Sequence, residues 1–246
     1  MVDQLHPGDF AIWLVALALY VGDSARLLAP RQLLLVEARG GRLASVFSAY
    51  PFTVAGRVLA FAPLILPHRG AFVAPWGRPW SVEPALRAAL GSLDALRRSL
   101  RMARVLAAWT FVLLFVVGPV LTRLLGPDPA VLYTAALVYP TAIVAVAVVW
   151  WRRRVWRLSR GHAALLSLEL LVCPAFLPNL VRKATAPHAI EVDGAQILTA
   201  TAAADVKAEF LGRLTSRAEE LINETGDDTA GQAALRDYLA VVRAAR

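Results

Sequence analysis

Two long runs without charged side chains constrain the fold most strongly. "VLAAWTFVLLFVVGPVLTRLL" (105–125) carries no charge before Arg123, and "AVLYTAALVYPTAIVAVAVVWW" (130–151) carries none at all. A helix needs about 20 apolar residues to cross the roughly 30 Å hydrocarbon core of a bilayer, so both runs are long enough. Of the 246 residues 58% are hydrophobic, and the mean hydropathy of +0.55 is higher than in ordinary soluble domains. The sequence therefore predicts an integral membrane protein.

A third apolar run, "FAIWLVALALYV" (10–21), is shorter and is followed by Asp23 and Arg26. Residues 1–9 contain no Lys or Arg, whereas a secretory signal peptide begins with positive charge and ends at a cleavage site of small residues. If the helix continues to residue 29, with Arg26 reaching the interface, it attains spanning length. We predict an N-terminal transmembrane helix over 1–29. An interfacial helix and a signal peptide are the alternatives.

The distribution of arginine predicts how the chain is threaded. Twelve Arg against four acidic residues lie between Asp23 and Arg104, and "RRRVWRLSR" (152–160) adds five more Arg. The connection between the two long runs, 126–130, contains no cation. Because Lys and Arg beside membrane helices stay in the cytoplasm, we expect a multi-pass protein with its N-terminus outside and its C-terminus cytoplasmic. The preference for Arg over Lys is typical of GC-rich bacterial genomes, which indicates a cell inner membrane.

Arginine and tryptophan are interleaved directly after the second long run. Beside a membrane helix this pattern indicates an aromatic belt and contacts with anionic lipid headgroups, and it does not indicate nucleic-acid binding. The side chains predicted to contact headgroups are Arg152, Arg153, Arg154, Arg157, Arg160, Trp150, Trp151 and Trp156.

Residues 30–80 predict a small antiparallel β meander at the membrane face. Apolar and polar residues alternate on both sides of Gly40-Gly41 and again on both sides of residues 55–57, and each pattern predicts a β-hairpin. Residues 70–76 add a fifth short strand.

Residues 81–104 predict an amphipathic interfacial helix with Ser81 as its N-cap. Covering the meander is an alternative role for this helix. Its apolar stripe consists of Leu86, Leu90, Leu93, Leu96 and Leu100.

The segment 152–185 contains a membrane stretch broken by Pro174 and Pro178. Each proline removes a backbone donor and disrupts the preceding turn. Arg and Lys flank the stretch on both sides, so a full crossing would carry one cationic group outside. We therefore predict a helix over 163–173 that breaks and returns to the interface at 179–183. A kinked helix that crosses fully is the alternative, and it would place residues 186–246 outside.

On the helix before the break, His162, Leu166, Glu169 and Cys173 share one stripe. An ionisable residue at membrane depth is often functional, which makes Glu169 the sharpest candidate, with His162 and Cys173 as weaker ones. His162 lies about 10 Å from Glu169 along the helix, so a common metal site is not expected. A structural role is favoured, with Glu169 paired to an Arg of 152–160 and Cys173 packed as a small apolar residue.

Residues 186–246 form the predicted cytoplasmic tail, a small α/β segment. "VDGA" predicts a hairpin at Asp193-Gly194, and helices follow over 202–223 and after Gly226. Sixty residues make a marginal core, so we expect the tail to pack on other cytoplasmic elements or on a partner.

The predicted fold is thus mainly α, with about three transmembrane helices and a broken re-entrant or interfacial helix. A small antiparallel β meander and a small α/β C-terminal tail are expected on the cytoplasmic side. No phosphate-binding loop, HExxH, GxSxG or paired-cysteine motif is present, so no cofactor or metal is predicted and an enzyme is disfavoured.

Three functions are open. The favoured one is an accessory, scaffold or assembly protein that presents cytoplasmic elements to a protein partner or to a second copy. The others are an oligomeric channel or transporter component lined by Tyr139-Pro140-Thr141, and a membrane enzyme that acts on a lipid-linked substrate.

Overall fold

The computed structural model describes residues 7–38, 42–46, 52–54, 57–188, 190–224 and 229–245. The chain folds as two compact units. Unit 1 comprises Met1–Ala25, Pro63–Gly70 and Ala95–Pro187, and unit 2 comprises Arg26–Ala62, Ala71–Asp94 and His188–Arg246.

Helices predominate in the described chain. In chain order they are α1 (Ala11–Asp23), α2 (Glu83–Ser99), α3 (Arg101–Val112), α4 (Gly118–Leu125), α5 (Pro127–Arg152), α6 (Arg160–Val172), α7 (Leu180–Thr185), α8 (Gly194–Thr201), α9 (Ala204–Glu224) and α10 (Thr229–Ala244). Short 3₁₀ turns cover Pro7–Phe10 and Pro174–Asn179, and a π-helical turn covers Leu113–Val117. The strands are β1 (Ala25–Leu28), β2 (Gln32–Glu37), β3 (Leu43–Val46), β4 (Phe52–Val54), β5 (Arg57–Phe61) and β6 (Ala71–Pro75).

Two helical stretches, Arg101–Leu125 and Pro127–Arg152, are long and apolar enough to cross a membrane, as the two uncharged runs predict. The first stretch contains the π-helical turn, which ends two residues before Pro119. Proline cannot donate a backbone hydrogen bond, and its ring would clash with the preceding turn of a regular α-helix, so the helix widens there. Gly126, with φ +88°, ends the first stretch, and Pro127 begins the second.

Helix α1 packs closely against α4. The indole ring of Trp13 lies on Gly118, where an added Cβ would come within 2.4 Å of a ring carbon. The predicted continuation of α1 to residue 29 is wrong, because the helix ends at Asp23 and residues 25–28 form β1. The Ser24 hydroxyl bonds to the Tyr20 carbonyl at 2.7 Å at this end.

Unit 2 contains two three-stranded sheets, with strand orders β3-β2-β6 and β1-β5-β4. β2 pairs antiparallel with both β3 and β6, and β4 with β5, which confirms the predicted antiparallel strands. The strands form two sheets and not one five-stranded meander, because alternation predicts strands but not their partners. The predicted turns at Gly40-Gly41 and at 55–56 lie outside the described residues. The core around the strands includes Leu28, Leu34, Val36, Ala60, Ala62 and Ala71.

The predicted leucine stripe faces inward: Leu93 and Leu96 of α2 are buried, as is Leu100 directly after it, and Leu86 and Leu90 are half-buried. Ser81 is not the N-cap of α2, because the helix begins at Glu83 and the Ser81 backbone instead exchanges two hydrogen bonds with the Gln196 side chain. Because the Gln196 side-chain amide bonds both the N–H and the C=O of Ser81, this residue stays outside the helix.

The predicted hairpin at Asp193-Gly194 is also wrong. Asp193 is the N-cap of α8, where its Oδ1 accepts hydrogen bonds from the backbone N–H groups of Ala195 and Gln196. An Asp-Gly pair suits a helix start as well as a turn. The two helices predicted after it are present as α9 and α10.

Candidate functional site

The candidate site lies within unit 1, where the proline-broken segment folds back on itself. Helix α6 ends at Val172, Pro174 begins the 3₁₀ turn, and α7 follows. The break therefore occurs where the two prolines predict it. Lys183 Nζ contacts Glu169 Oε2 at 2.6 Å, so the residues before and after the break meet as a hairpin.

The Lys183 ammonium bridges two carboxylates. Besides Glu169 it contacts Asp23 Oδ1 at 2.8 Å, which joins the end of α1 to both arms of the hairpin. The prediction that Glu169 pairs with an Arg of 152–160 is therefore wrong in its partner, because Glu169 pairs with Lys183. The reason is the hairpin, which brings together residues 14 positions apart.

A buried polar network lies beside this triad, with Arg182 at its centre. Only 2% of Arg182 is exposed. Its Nη1 donates to Ser24 Oγ at 2.7 Å and to Asn179 Oδ1 at 2.6 Å, and its Nη2 donates to the Pro63 carbonyl at 2.6 Å. The guanidinium carbon also lies 5.6 Å from the centre of the Tyr20 ring, within range of a cation–π interaction.

Asn179 and Tyr20 complete the network. Asn179 Nδ2 donates to the Tyr20 carbonyl at 3.0 Å and to Asp23 Oδ2 at 2.9 Å, and the Tyr20 hydroxyl donates to the Leu64 carbonyl. Three segments distant in sequence are therefore held together: the end of α1, residues 63–64, and the returning arm of the hairpin.

Lys183 is paired with both carboxylates of this region, Asp23 and Glu169. The buried Arg182 is hydrogen-bonded to two side chains and to a backbone carbonyl. A buried cation is tolerated when its charge or its donors have such partners. The arrangement suits a structural clasp. Sequence reasoning missed Tyr20, Ser24 and Asn179. The signal in the sequence was that two apolar stretches end in polar residues. These ends are "YVGDS" (20–24) after the first apolar run and "PNLVRK" (178–183) after the proline break.

The other members of the predicted stripe are not gathered into one site. His162 is exposed, and its backbone N–H donates to Ser159 Oγ at 3.1 Å as part of the N-cap of α6. Cys173 is a free, half-buried thiol at the break. Among the described residues, no three side chains of His, Cys, Asp and Glu lie close enough to hold a metal ion.

The arginine–tryptophan segment is organised by stacking. The Arg152 guanidinium lies 4.2 Å from the Trp151 ring centre, and that of Arg153 lies 5.9 Å from Trp150. Trp150 Nε1 donates to Ser167 Oγ at 3.1 Å. Headgroup contact by Trp156 is wrong, because this side chain is 0% exposed. Trp156 instead anchors the segment from inside, since its Nε1 donates to Ser99 Oγ at 3.1 Å.

This segment ends the α5 helical region with a Schellman motif. The Leu158 N–H donates to the Arg153 carbonyl at 2.8 Å, and the Arg157 N–H donates to the Arg154 carbonyl at 3.2 Å. Arg157 occupies the left-handed position with φ +51°, which glycine usually takes. Arg154, Arg157 and Arg160 are exposed there.

Unit 2 has a buried carboxylate of its own. Asp193 accepts hydrogen bonds from the Arg78 N–H at 3.1 Å and from the Tyr238 hydroxyl at 3.2 Å, besides its bonds within α8. Burial raises the pKa of Asp193, and burial together with the neighbouring Asp193 raises the pKa of Tyr238. The contacts of this carboxylate with Arg78 and Tyr238 join the start of α8 to other parts of unit 2, which is a structural role.

The surface of unit 1 is apolar over the long helices. Large side chains more than two-fifths exposed there include Leu14, Val15, Val105, Trp109, Val116, Val120, Leu124, Leu132, Leu137, Ile143, Val144, Trp151, Leu165, Leu168 and Val172. We call these residues the apolar belt. Comparison with protein-family models, with curated proteins and with solved structures finds no match to this chain.

Proposed function

We propose that this chain is an integral membrane protein in which unit 1 lies in the bilayer and unit 2 is a water-exposed module that binds a protein partner. One observation carries the proposal. Only 33% of the most apolar window of each long helix is buried. The core helices of a water-soluble protein bury their apolar residues, whereas a continuous exposed apolar surface is typical of contact with lipid or with another protein.

The interior of unit 1 supports the same proposal. In hydrocarbon every polar group needs a partner within the protein. The Thr122 hydroxyl, which is buried, accepts a hydrogen bond from Trp13 Nε1 at 2.8 Å and donates to the Gly118 carbonyl at 3.0 Å. Arg182 and Asn179 are partnered inside in the same manner. These buried groups are thus partnered as a membrane-embedded body requires.

The proposed orientation follows the positive charges. Arg152–Arg160 lie on the cytoplasmic side and contact anionic headgroups, which puts the start of α1 outside and residues 188–246 inside. The stacked pairs Arg152–Trp151 and Arg153–Trp150 suit the interface, where an aromatic ring and a cation both find favourable surroundings. The membrane is proposed to be a bacterial inner membrane.

Within that membrane we assign an accessory, scaffold or assembly role. The chain passes between the units at 25–26, 62–63, 70–71, 94–95 and 187–188, so unit 2 is tethered to unit 1 at several points. Such tethering suits a module that is held at a membrane for a partner. Glu169 is bound by Lys183, which favours a structural role for this residue over catalysis or transport.

Two measurements test the proposal. Sodium carbonate extraction of native membranes should leave the protein in the membrane pellet, and release into the supernatant would contradict membrane insertion. Purification in mild detergent should then yield a stoichiometric protein partner. A homo-oligomer without one would contradict the accessory role. Ion or solute flux in liposomes that is lost in Glu169→Gln would establish the transport alternative instead.

A further inference from the structure

A groove of about 260 Å³ lies in unit 1 between α1, α5 and the turn that follows α6. Its buried floor consists of Trp13, Leu114, Thr134, Val138 and Ala175. Its exposed rim includes Ile12, Val15, Leu19, Tyr139 and Val172. No carboxylate, guanidinium, ammonium or imidazole group lines the groove within the described parts of the chain.

The chemistry of these walls restricts the occupant. A charged ligand would lose its hydration and gain no counter-charge. Ordered water needs two to four polar partners, and the free polar groups of the lining are limited to the Thr134 and Tyr139 hydroxyls and the Cys173 thiol. An unfilled groove would lose the dispersion contacts that a close-packed neighbour supplies. An apolar chain is the occupant that these walls favour.

The rim identifies the source of such a chain. Val15 and Val172 belong to the apolar belt, so the groove opens on the surface that faces lipid if the proposed function is correct. The volume lies below the ~300–1,000 Å³ of pockets that enclose whole drug-sized ligands, so the groove has room for a segment of one acyl chain and not for a whole phospholipid. We propose that the groove binds one acyl chain of a membrane phospholipid. This inference rests on membrane insertion of unit 1.

The test uses matched pairs of substitutions on the same helices. Ala135 lines the groove, whereas Ala136, the next residue of α5, is exposed and does not. Ala16 lines the groove from α1, whereas Ala18 is exposed outside it. We therefore expect Ala135→Phe and Ala16→Phe to fill the groove, while Ala136→Phe and Ala18→Phe add the same ring to the lipid-facing surface.

The measurements are made on protein reconstituted in phosphatidylcholine vesicles that carry a photoreactive diazirine in one acyl chain. We expect crosslinks at groove residues to exceed those at Ile143 and Leu165 of the apolar belt several-fold. Ala135→Phe and Ala16→Phe should remove this excess and also the one phospholipid retained in native mass spectrometry. Ala136→Phe and Ala18→Phe should keep both. Thr134→Val should keep both as well, because an acyl chain does not hydrogen-bond to the hydroxyl.

Three results would overturn the inference. Crosslinking at equal yield along the belt, unchanged by Ala135→Phe, would mean that the lipid is ordinary annular lipid. Crosslinks between two copies at the groove would make its occupant a second copy of this chain. Loss of the retained molecule in Thr134→Val would indicate a ligand that hydrogen-bonds. Failure of membrane insertion is seen separately, since carbonate would then extract the wild-type protein.

Discussion

Unit 1 exposes its large aliphatic and aromatic side chains and buries a guanidinium, whereas unit 2 buries its apolar residues and exposes ion pairs. In unit 2, Arg213–Glu209 and Arg243–Glu219 are surface pairs, and Asp193 and Glu37 are buried exceptions. This opposite distribution of apolar and polar side chains follows if the surroundings of the two units differ. In lipid, polar groups must find hydrogen-bond partners within the protein, whereas in water the solvent supplies them. The contribution of each polar group should therefore differ between the units.

The largest effect is expected at the centre of unit 1. Arg182→Ala leaves Ser24, Asn179 and the Pro63 carbonyl with fewer partners and removes a buried cation. We expect the free energy of unfolding to fall by about 3–5 kcal/mol, as when one partner of a buried charged network is removed. Unfolding in detergent, followed by circular dichroism, measures this change.

The matched control is Arg154→Ala, because Arg154 is exposed in the arginine–tryptophan segment. It should change the free energy of unfolding by less than about 0.5 kcal/mol. Equal stability of the two variants would show that the buried network does not hold unit 1 together.

Each unit contains a close approach to a glycine, which allows a direct comparison. A Cβ at Gly118 would lie 2.4 Å from the Trp13 ring, and one at Gly194 would lie 2.7 Å from the Ala74 Cβ. We expect Gly118→Ala and Gly194→Ala each to lower stability by about 1–3 kcal/mol through overpacking. Thermal unfolding of the two variants measures the cost in each unit.

The controls here are Gly22→Ala in α1 and Gly212→Ala in α9, where nothing lies within 4 Å of an added Cβ. Both should be neutral or stabilising by up to about 1 kcal/mol, because alanine favours helix more than glycine does. If Gly118→Ala behaved like Gly22→Ala, the packing of α1 on α4 would be looser than described.

The buried carboxylate of unit 2 should make its stability depend on pH. Burial raises the pKa of Asp193 above the ordinary value of 3.8, so the folded state binds this proton more tightly than the unfolded state does. The stabilisation is complete below the unfolded pKa and is lost as pH rises through the folded pKa. Urea unfolding of wild type and Asp193→Asn over this range should show the wild type losing stability relative to the variant.

In this pH series an unchanged difference between the two proteins would mean that the hydrogen bonds from Arg78, Ala195, Gln196 and Tyr238 cancel the effect of burial. Asp193→Ala provides the second comparison. It removes the N-cap of α8 and should cost about 1–2 kcal/mol at any pH.

The smallest effect is expected in the Schellman motif, at Arg157. A non-glycine residue at φ +51° costs about 1 kcal/mol, so Arg157→Gly should raise the melting temperature slightly and Arg157→Ala should not. A melting temperature raised equally by both variants would assign the gain to the removed charge. Weaker binding to anionic vesicles in both variants would support headgroup contact by this side chain.

Local pattern predicted much of the secondary structure. The two uncharged runs became the two long helices, the leucine stripe marked the buried face of α2, and Pro174 and Pro178 marked the break after α6. These features depend on hydrophobicity, periodicity and proline geometry, which act over a few turns. The same reasoning failed at two positions. At Ser81 the backbone is hydrogen-bonded by Gln196, which lies more than a hundred residues away. At Asp193 the Asp-Gly pair suits both a hairpin turn and a helix start, and it forms the helix start.

By itself, the sequence determined where the two long apolar helices lie and where the chain breaks after α6, because hydrophobic length and missing backbone donors are local properties. Only the tertiary structure decided which polar groups meet. The contacts of Arg182 with Ser24 and Pro63 join residues 158 and 119 positions apart. Likewise β2 pairs with β6, although three other strands lie between them in the sequence. Such contacts depend on how distant segments pack against one another, and no periodicity along the chain encodes that.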